Sequence, residues 1–465
     1  MNTDFNIAHL LEEQAQKHPG AIALIDVWQG CRRQFSFREL NESSARIARQ
    51  LRANGIRRGD GALLLMPMSA ELYIALIALF RIGAVAQFVD SSAGLRHIAH
   101  CCETAKPMAY IGTPKAHLLR LASPSLRRIS RQFVVRGTFV RGTPLRYQGA
   151  HSDGMIESCE SDAAALLSFT SGSTGQPKAI LRTHGFLRTQ HEILSRHLDL
   201  RAGETEFCTL PIFVLANLAS GVASILPNAD LRRPAHFDGA KIWSQLENTQ
   251  PQRAAAPPAF WESLCEYSQG RTLPFLQTIH TGGGPVTPKL IRQLKSLAPN
   301  ARIGAVYGST EAEPVAHLNF DDLMFDEAQQ TQRGAGLPAG YVVPETQLRI
   351  LPDHWGRAIG PFLGTEFEQL VLTPGHIGEI VVTGRHVIQG YIDGVGNQQT
   401  KFEVAGKIWH RTGDAGYLDE QNRLWLMGRC GARVVDDQGV LYPFAVECAA
   451  QDFSFVKRAA LAQHK

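Results

Sequence analysis

Between Phe35 and Val89 the chain changes hydrophobic period several times, and no other feature constrains its fold more. Ser36 can cap a helix with Glu39 three residues on, and Leu40, Ala45, Ile47, Ala48 and Leu51 follow as its apolar positions. GIRRGD then turns the chain into ALLLMP, a short apolar run of strand type. AELYIALIALFRIGAVAQFVD reads as a buried helix followed by a second strand. Strand–helix–strand succession predicts an α/β fold with a largely parallel sheet. There is no internal repeat and no low-complexity tract.

Composition narrows the function classes. At 465 residues the chain can bury a large core and form two or more domains. It is 44% apolar and 19% charged, as in an ordinary soluble globular protein. A net charge of +4 is too small to argue for a nucleic-acid partner. Arg81 and Gln87 break the longest apolar stretch, Leu72 to Val89, so it suits a core helix and not a membrane span. The N-terminus is acidic and amphipathic, unlike a secretory signal. Eight scattered cysteines, Cys101 and Cys102 adjacent and no CxxC pair present, predict reduced thiols in a cytoplasmic protein, with neither disulfides nor zinc.

Two stretches stand out in composition. Residues 104–152 contain nine Lys or Arg, among them Lys115, Arg127, Arg128, Arg131 and Arg136, and no Asp or Glu. Such a run is either a solvated face or a landing patch for an acidic partner such as a phosphate-bearing acyl carrier. WLMGRCGARVVDDQGVLYP, residues 425–443, mixes Gly, charge and Pro, and predicts a boundary between a large domain, 1–428, and a small piece, 429–465.

LLSFTSGSTGQPKAI, residues 166–180, places six small or hydroxylated residues after an apolar run, and Pro177 and Lys178 close the run. Small residues let backbone N–H groups approach phosphate oxygens, hydroxyls add donors and a lysine adds charge. The GxxxxGK[ST] pattern of a P-loop fails, because Lys178 follows Pro177 and precedes Ala179. That argues against a P-loop kinase. A flexible surface loop and a phosphate loop both fit this stretch on its own.

Two further stretches decide between them: AVYGSTEAEP at 305–314 and WHRTGDAGYLDEQNRLWLMGR at 409–429. TSGSTGQPK, YGSTE and RTGD…GR in this order resemble the adenylate-forming superfamily of acyl- and aryl-CoA synthetases, luciferases and peptide-synthetase adenylation domains. FSFRELNESSARIARQL…GIRRGD is similar to its N-terminal signature, and TGGGP at 281–285 to its adenine-side loop. The resemblance implies a large α/β domain with mixed and parallel sheets and a small α+β C-terminal domain. It implies a reaction in which a carboxylate displaces pyrophosphate from ATP to form an acyl-AMP. Negative charge crowds together in that reaction, so catalysis must come from positioning and from cations. By the same resemblance Thr170, Ser171, Gly172, Ser173, Thr174, Gly175 and Lys178 cradle the β- and γ-phosphates. Thr310 holds the α-phosphate, and Glu311 holds Mg²⁺, a hard cation suited to oxygen ligands. Tyr307 with Gly308 stacks on adenine beside Gly283 and Gly284, Asp414 accepts the ribose hydroxyls, and Arg429 steadies ribose or phosphate.

For the acid, LPIFVLANLASGVASILPNADLRRPA at 210–235 is the informative segment. Many acyl-CoA synthetases have PxFH here, and Val214 stands where that histidine would be. Phe213, Val214 and Leu215 form either a plain core helix or an apolar acyl site, with Gly282, Gly283 and Gly284 leaving space beside it. No basic residue in the segment is placed for a second carboxylate, and no acid for an amino-acid ammonium, which favours a fatty or otherwise apolar acid. PIFVLANLASGVASILP…RRPA, HTGGGPV, VYGSTEAEPVA and GRCGARV look most like the β-lactone synthetases of bacterial olefin biosynthesis. In that branch the substrate's own hydroxyl closes the acyl-AMP without CoA. A medium- or long-chain acyl-CoA ligase, using CoA or an acyl carrier, is the competing expectation.

Family members also place a catalytic lysine well beyond the hinge arginine. Here 36 residues follow Arg429, Lys457 lies in a strand-like FVKRAALA, and Lys465 is last. The C-terminal domain therefore reads as cut short, which predicts slow adenylation. It also keeps open a different class, a lidless protein that binds nucleotide or acyl-AMP without turnover.

Overall fold

The computed structural model describes residues 4–89, 93–137, 140–149, 154–171, 177–322, 325–453 and 455–463. Two compact units emerge, Met1–Arg233 with Tyr391–Asp393, and Pro234–Gly390 with Gly394–Lys465.

The first unit contains the parallel sheet that the sequence predicts. Gly61–Leu65 lies between Val85–Phe88 and Ala109–Gly112, parallel to both. Arg131–Val134 and Ala164–Ser171 extend the sheet in parallel on either side, and Pro177–Thr183 closes one edge as an antiparallel hairpin partner. Four further strands of this unit pair in the order Thr205–Cys208, Ala223–Ile225, Ile22–Trp28, Cys31–Ser36. The helix Phe37–Ala53 begins where the sequence places it. The Ser36 hydroxyl accepts from the Glu39 N–H at 3.2 Å, and the Glu39 carboxylate accepts from the Ser36 N–H at 2.8 Å. The helix Ala70–Arg81 is buried on every side, which explains its lack of a polar stripe.

The two polar interruptions of that apolar stretch are both inside. Arg81 is fully buried and donates to Asn41 Oδ1 at 2.9 Å, and Gln87 donates to the Ala105 carbonyl at 3.0 Å. Among the described residues no helix is long and apolar enough to cross a membrane. All eight cysteines are free thiols, and burial pushes Cys101 up to about 12 and Cys102 to about 11.

The basic run divides. Lys115, Arg127, Arg128 and Arg131 are exposed. Arg136 is not, so for this residue both surface readings are corrected. Its guanidinium lies 3.8 Å over the Trp28 ring and pairs with Glu71 and with Asp26. Arg33 closes the cluster at 2.8 Å from Asp26 Oδ1 and 2.8 Å from Glu71 Oε1. Two buried carboxylates from distant strand and helix need two cations, and the run supplies one of them.

In the second unit Arg253–Ala256, Thr278–Gly282 and Arg302–Ser309 are parallel. The helices Pro258–Ser268 and Pro288–Leu297 serve as crossovers. From Arg302–Ser309 the sheet continues antiparallel through Ala312–Asn319, Leu337–Val342, Arg423–Arg429, Lys407–Leu418, Gly378–Thr383 and Gln347–Leu351. Residues 429–465 fall in this unit. Their hairpin, Val434–Asp436 with Gly439–Leu441, leads into the helix Pro443–Gln451, and Cys430 and Tyr442 pack on Ala415 and Met427.

Candidate active site

The second unit gathers most of the nucleotide residues expected from the sequence. Thr310 and Glu311 are the two turn residues of the hairpin Arg302–Ser309/Ala312–Asn319, whose last pair is Ser309 with Ala312. The Glu311 N–H donates to Ser309 Oγ at 3.2 Å, and the Glu311 carbonyl accepts from the Ile388 N–H at 2.8 Å. Both ends of the turn are therefore held. Gly308 has a steric reason to be glycine, since a Cβ there would sit 2.8 Å from the Ala312 carbonyl oxygen.

Asp414 stands in register with Arg429 on the neighbouring strand. Its carboxylate accepts from the Tyr307 hydroxyl at 2.9 Å and lies 3.2 Å from Arg429 Nε. Its N–H donates to Thr412 Oγ1 at 3.1 Å. Burial pushes the Asp414 carboxyl up, against the opposing pull of Arg429 and the Tyr307 hydrogen bond. Burial, with Asp414 beside it, pushes the Tyr307 phenol well up too. Asp414 thus keeps acceptor capacity in a partly desolvated place. Thr412, which orients it, carried no sequence signal beyond its place in RTGD.

The three glycines of TGGGP serve different ends. Gly283 has φ +75 and open space around it, and Gly284 meets only Pro258 at ordinary contact. Gly282 differs from the expected space-giver: a Cβ there would sit 2.4 Å from the Val306 carbonyl oxygen, so the neighbouring backbone already demands glycine.

The first unit carries the phosphate-loop and helix residues. Thr170 and Ser171 pair with Lys178 and Pro177 across the edge hairpin. Gly172, Ser173, Thr174 and Gly175 lie outside the described residues. Lys178 is 4% exposed, and its ammonium sits 5.3 Å from the centre of the Tyr391 ring, a partner no motif announced. On the helix Pro211–Ser220, Phe213 and Val214 are buried. Leu215 is on another face, where with Ile212 and Ala219 it lines an apolar crevice against Leu11, Phe80 and Leu187. The same helix holds Asn217, fully buried, which donates to Glu206 at 2.6 Å and to Ser224 Oγ at 3.1 Å.

The model for AMP-binding enzymes matches residues 11–392. The chain belongs to the AMP-binding enzyme family. An olefin β-lactone synthetase of Stenotrophomonas maltophilia (strain K279a) is 31% identical over 489 aligned residues, covering 99% of this chain and 86% of the relative. The long-chain-fatty-acid–CoA ligase FadD13 of Mycobacterium tuberculosis (strain CDC 1551 / Oshkosh) is 23% identical, over 95% of this chain and 82% of its own. Among solved structures, the anthranilate CoA ligase AuaEII in complex with anthranoyl-AMP superimposes with a TM-score of 0.82 at 16% identity, covering 99% of this chain and 85% of that one. This AMP-binding enzyme is an acid-activating ligase that works through an acyl-adenylate.

The donor set suits the magnesium nucleotide such an enzyme uses. Among the described residues no group of three or more His, Cys, Asp or Glu could hold a metal unaided. One carboxylate, Glu311, on a tethered turn fits Mg²⁺, which is commonly held by one or two carboxylates together with substrate phosphates and water.

Proposed function

We propose that this AMP-binding enzyme activates an apolar acid, and specifically a β-hydroxy fatty acid, and then closes it to a β-lactone. The observation that carries this reading is the 31% identity to an olefin β-lactone synthetase along 99% of the chain. In the first step a carboxylate oxygen attacks the α-phosphorus of ATP, and the bond to the pyrophosphate oxygen breaks. Lys178 and the hydroxyls of Thr170, Ser171, Ser173 and Thr174, with Gly172 and Gly175, are assigned to the β- and γ-phosphates. Thr310 is assigned to the α-phosphate, and Tyr307, Gly308, Gly283 and Gly284 to adenine. Asp414 and Arg429 take the ribose. Glu311 would hold Mg²⁺, which supplies charge neutralisation at the phosphates. Phe213, Val214 and Gly282 are assigned to the acyl group, and Leu215, which faces the separate crevice, is not. In the second step the substrate's own β-hydroxyl oxygen attacks the acyl carbon, AMP leaves and the hydroxyl proton is released.

The half-buried, under-compensated Asp414 supports the ribose assignment, because a partly desolvated carboxylate gains from the two hydroxyl donors of a ribose. The 23% identity to a long-chain-fatty-acid–CoA ligase favours a second reading, in which CoA or an acyl carrier takes the acyl group. Residues 429–465 are assigned to a hinge and the beginning of a lid, and the protein to the cytoplasm. Acid-dependent exchange of labelled pyrophosphate into ATP tests the activation step. Product analysis with and without CoA then separates the readings. A lactone formed without CoA supports the first, and a thioester formed only with CoA supports the second.

A further inference from the structure

Five histidines are buried among the described residues: His117, His184, His280, His386 and His410. Four have a hydrogen-bond partner. His117 Nε2 meets the Phe133 carbonyl at 2.8 Å, and the Ile7 N–H donates to His184 Nδ1 at 3.2 Å. His386 Nε2 meets the Pro314 carbonyl at 2.8 Å, and His410 Nδ1 meets the Thr400 carbonyl at 3.1 Å. His280 has none among the described residues, and its Nδ1 is wholly buried. A buried polar atom without a partner is costly, and a group that brings it a hydrogen bond gains by doing so.

Its place in the sheet narrows what that group is. His280 lies on Thr278–Gly282, two residues before Gly282, roughly 7 Å along the strand. Across the sheet it is in register with Gly304, and the ring of His317 from the next strand lies 6.2 Å from its own. The two imidazoles close over Gly304. A Cβ on Gly304 would stand 3.0 Å from His317 Nε2 and 3.1 Å from His280 Cδ2, so a hydrogen there is what admits both rings. Burial, with Arg253, His317 and Arg302 nearby, holds His280 well below the usual imidazole range and therefore neutral. A neutral imidazole offers one N–H donor and one bare nitrogen acceptor. Whichever role Nδ1 takes, a hydroxyl group can meet it, because a hydroxyl both donates and accepts.

We propose that His280 receives the hydroxyl of the acyl substrate and is the residue by which this enzyme prefers a hydroxy acid to the plain acid of equal length. The proposal rests on the activity stated above and on Gly282 bordering the acyl group. Two residues from that glycine, His280 offers a polar nitrogen to the acid, and an acid without the hydroxyl leaves that nitrogen unpaired.

The test compares pyrophosphate exchange with a saturated 3-hydroxy acid and with the plain acid of the same chain length, in wild type, His280→Leu and His280→Asn. The expected wild-type preference for the hydroxy acid is about 10–100-fold in kcat/KM. His280→Leu should collapse that ratio to near unity, with the larger loss on the hydroxy acid, and His280→Asn should keep part of it. The KM for ATP and the thermal unfolding midpoint identify a variant that has merely misfolded. For that case a second readout uses wild type alone: the imidazole ¹⁵N signals of His280 should shift on adding the 3-hydroxy acid and not the plain acid. Exchange with both acids at equal efficiency in wild type overturns the assignment, as does a preference that survives His280→Leu. A preference for acids with a second carboxylate overturns it in favour of a charge-reading floor. Exchange with no acid at all overturns the activity reading itself, which the other outcomes leave standing.

Discussion

Two polar clusters, one in each unit, obey opposite rules. In the first unit Asp26 and Glu71 face Arg33 and Arg136, so each carboxylate has a guanidinium and each guanidinium a carboxylate. Asp26 also accepts from the N–H of Ala70, at the start of a helix, at 3.0 Å. Burial pushes Glu71 up, and the hydrogen bonds from Arg33 and Arg136 outweigh it, so its carboxyl sits below its ordinary 4.5. In the second unit Asp414 has one tyrosine hydroxyl and one exposed arginine, and burial wins. His280 has no hydrogen bond among the described residues. A cluster that satisfies itself locks the fold, and one that is left short of partners is ready for a ligand.

The largest expected effect breaks the first cluster. Glu71→Gln leaves Arg33 and Arg136 to share Asp26 alone in a buried place and should cost about 3–5 kcal/mol of stability. Chemical denaturation followed by far-UV circular dichroism measures it, and a loss under ~1 kcal/mol would show that the cluster carries little of the fold. Asp414→Asn should behave in the reverse way. Its kcat/KM for ATP should fall about 10–100-fold, the worth of charged hydrogen bonds to a ligand, while stability holds or rises. An equal drop in stability would make Asp414 structural like Glu71.

Acid should separate the two clusters. In the proposed ribose role Asp414 must be ionised, and its carboxyl is raised above 3.8, so ATP binding should weaken, as pH falls, sooner than an ordinary aspartate would allow. Glu71 is depressed, so its contribution to stability is present above 4.5 and is lost only as pH falls from there through its lower folded value. A window should exist in which ATP affinity has dropped and the circular dichroism of the fold has not. If titration shows the two falling together, the contrast is wrong. The smallest effect belongs to Tyr307→Phe, which removes one neutral donor to Asp414. It should raise the KM for ATP about 2–10-fold and move the pH dependence further up, since a pull that keeps Asp414 ionised is gone.

Local order made much of this readable in advance. The capping box at Ser36 and Glu39, the buried helix that carries Arg81, and each short motif that marks Thr310, Glu311 or Asp414 depend on residues a few positions apart. Arg136 was legible only as one charge in a basic run, because its partners Asp26 and Glu71 come from far upstream. Leu215 shares an apolar segment with Phe213 and Val214, and only the pitch of the helix and its neighbours turn it into a different crevice. Asn217, a polar residue in that segment, finds Glu206 and Ser224 as partners only in the fold.

Short-range pattern pointed to the fold class, and the motifs' resemblance to a family pointed to acid activation, because helix caps, hydrophobic periods and motif residues are written within a few positions of one another. Strand register decided the rest. The Tyr307–Asp414 bond spans 107 positions, and the meeting of His280, Gly304 and His317 requires three strands to align. Hydrogen-bonded sheets pair residues by geometry and not by nearness along the chain, so which polar groups end without a partner is known only once the sheet has formed.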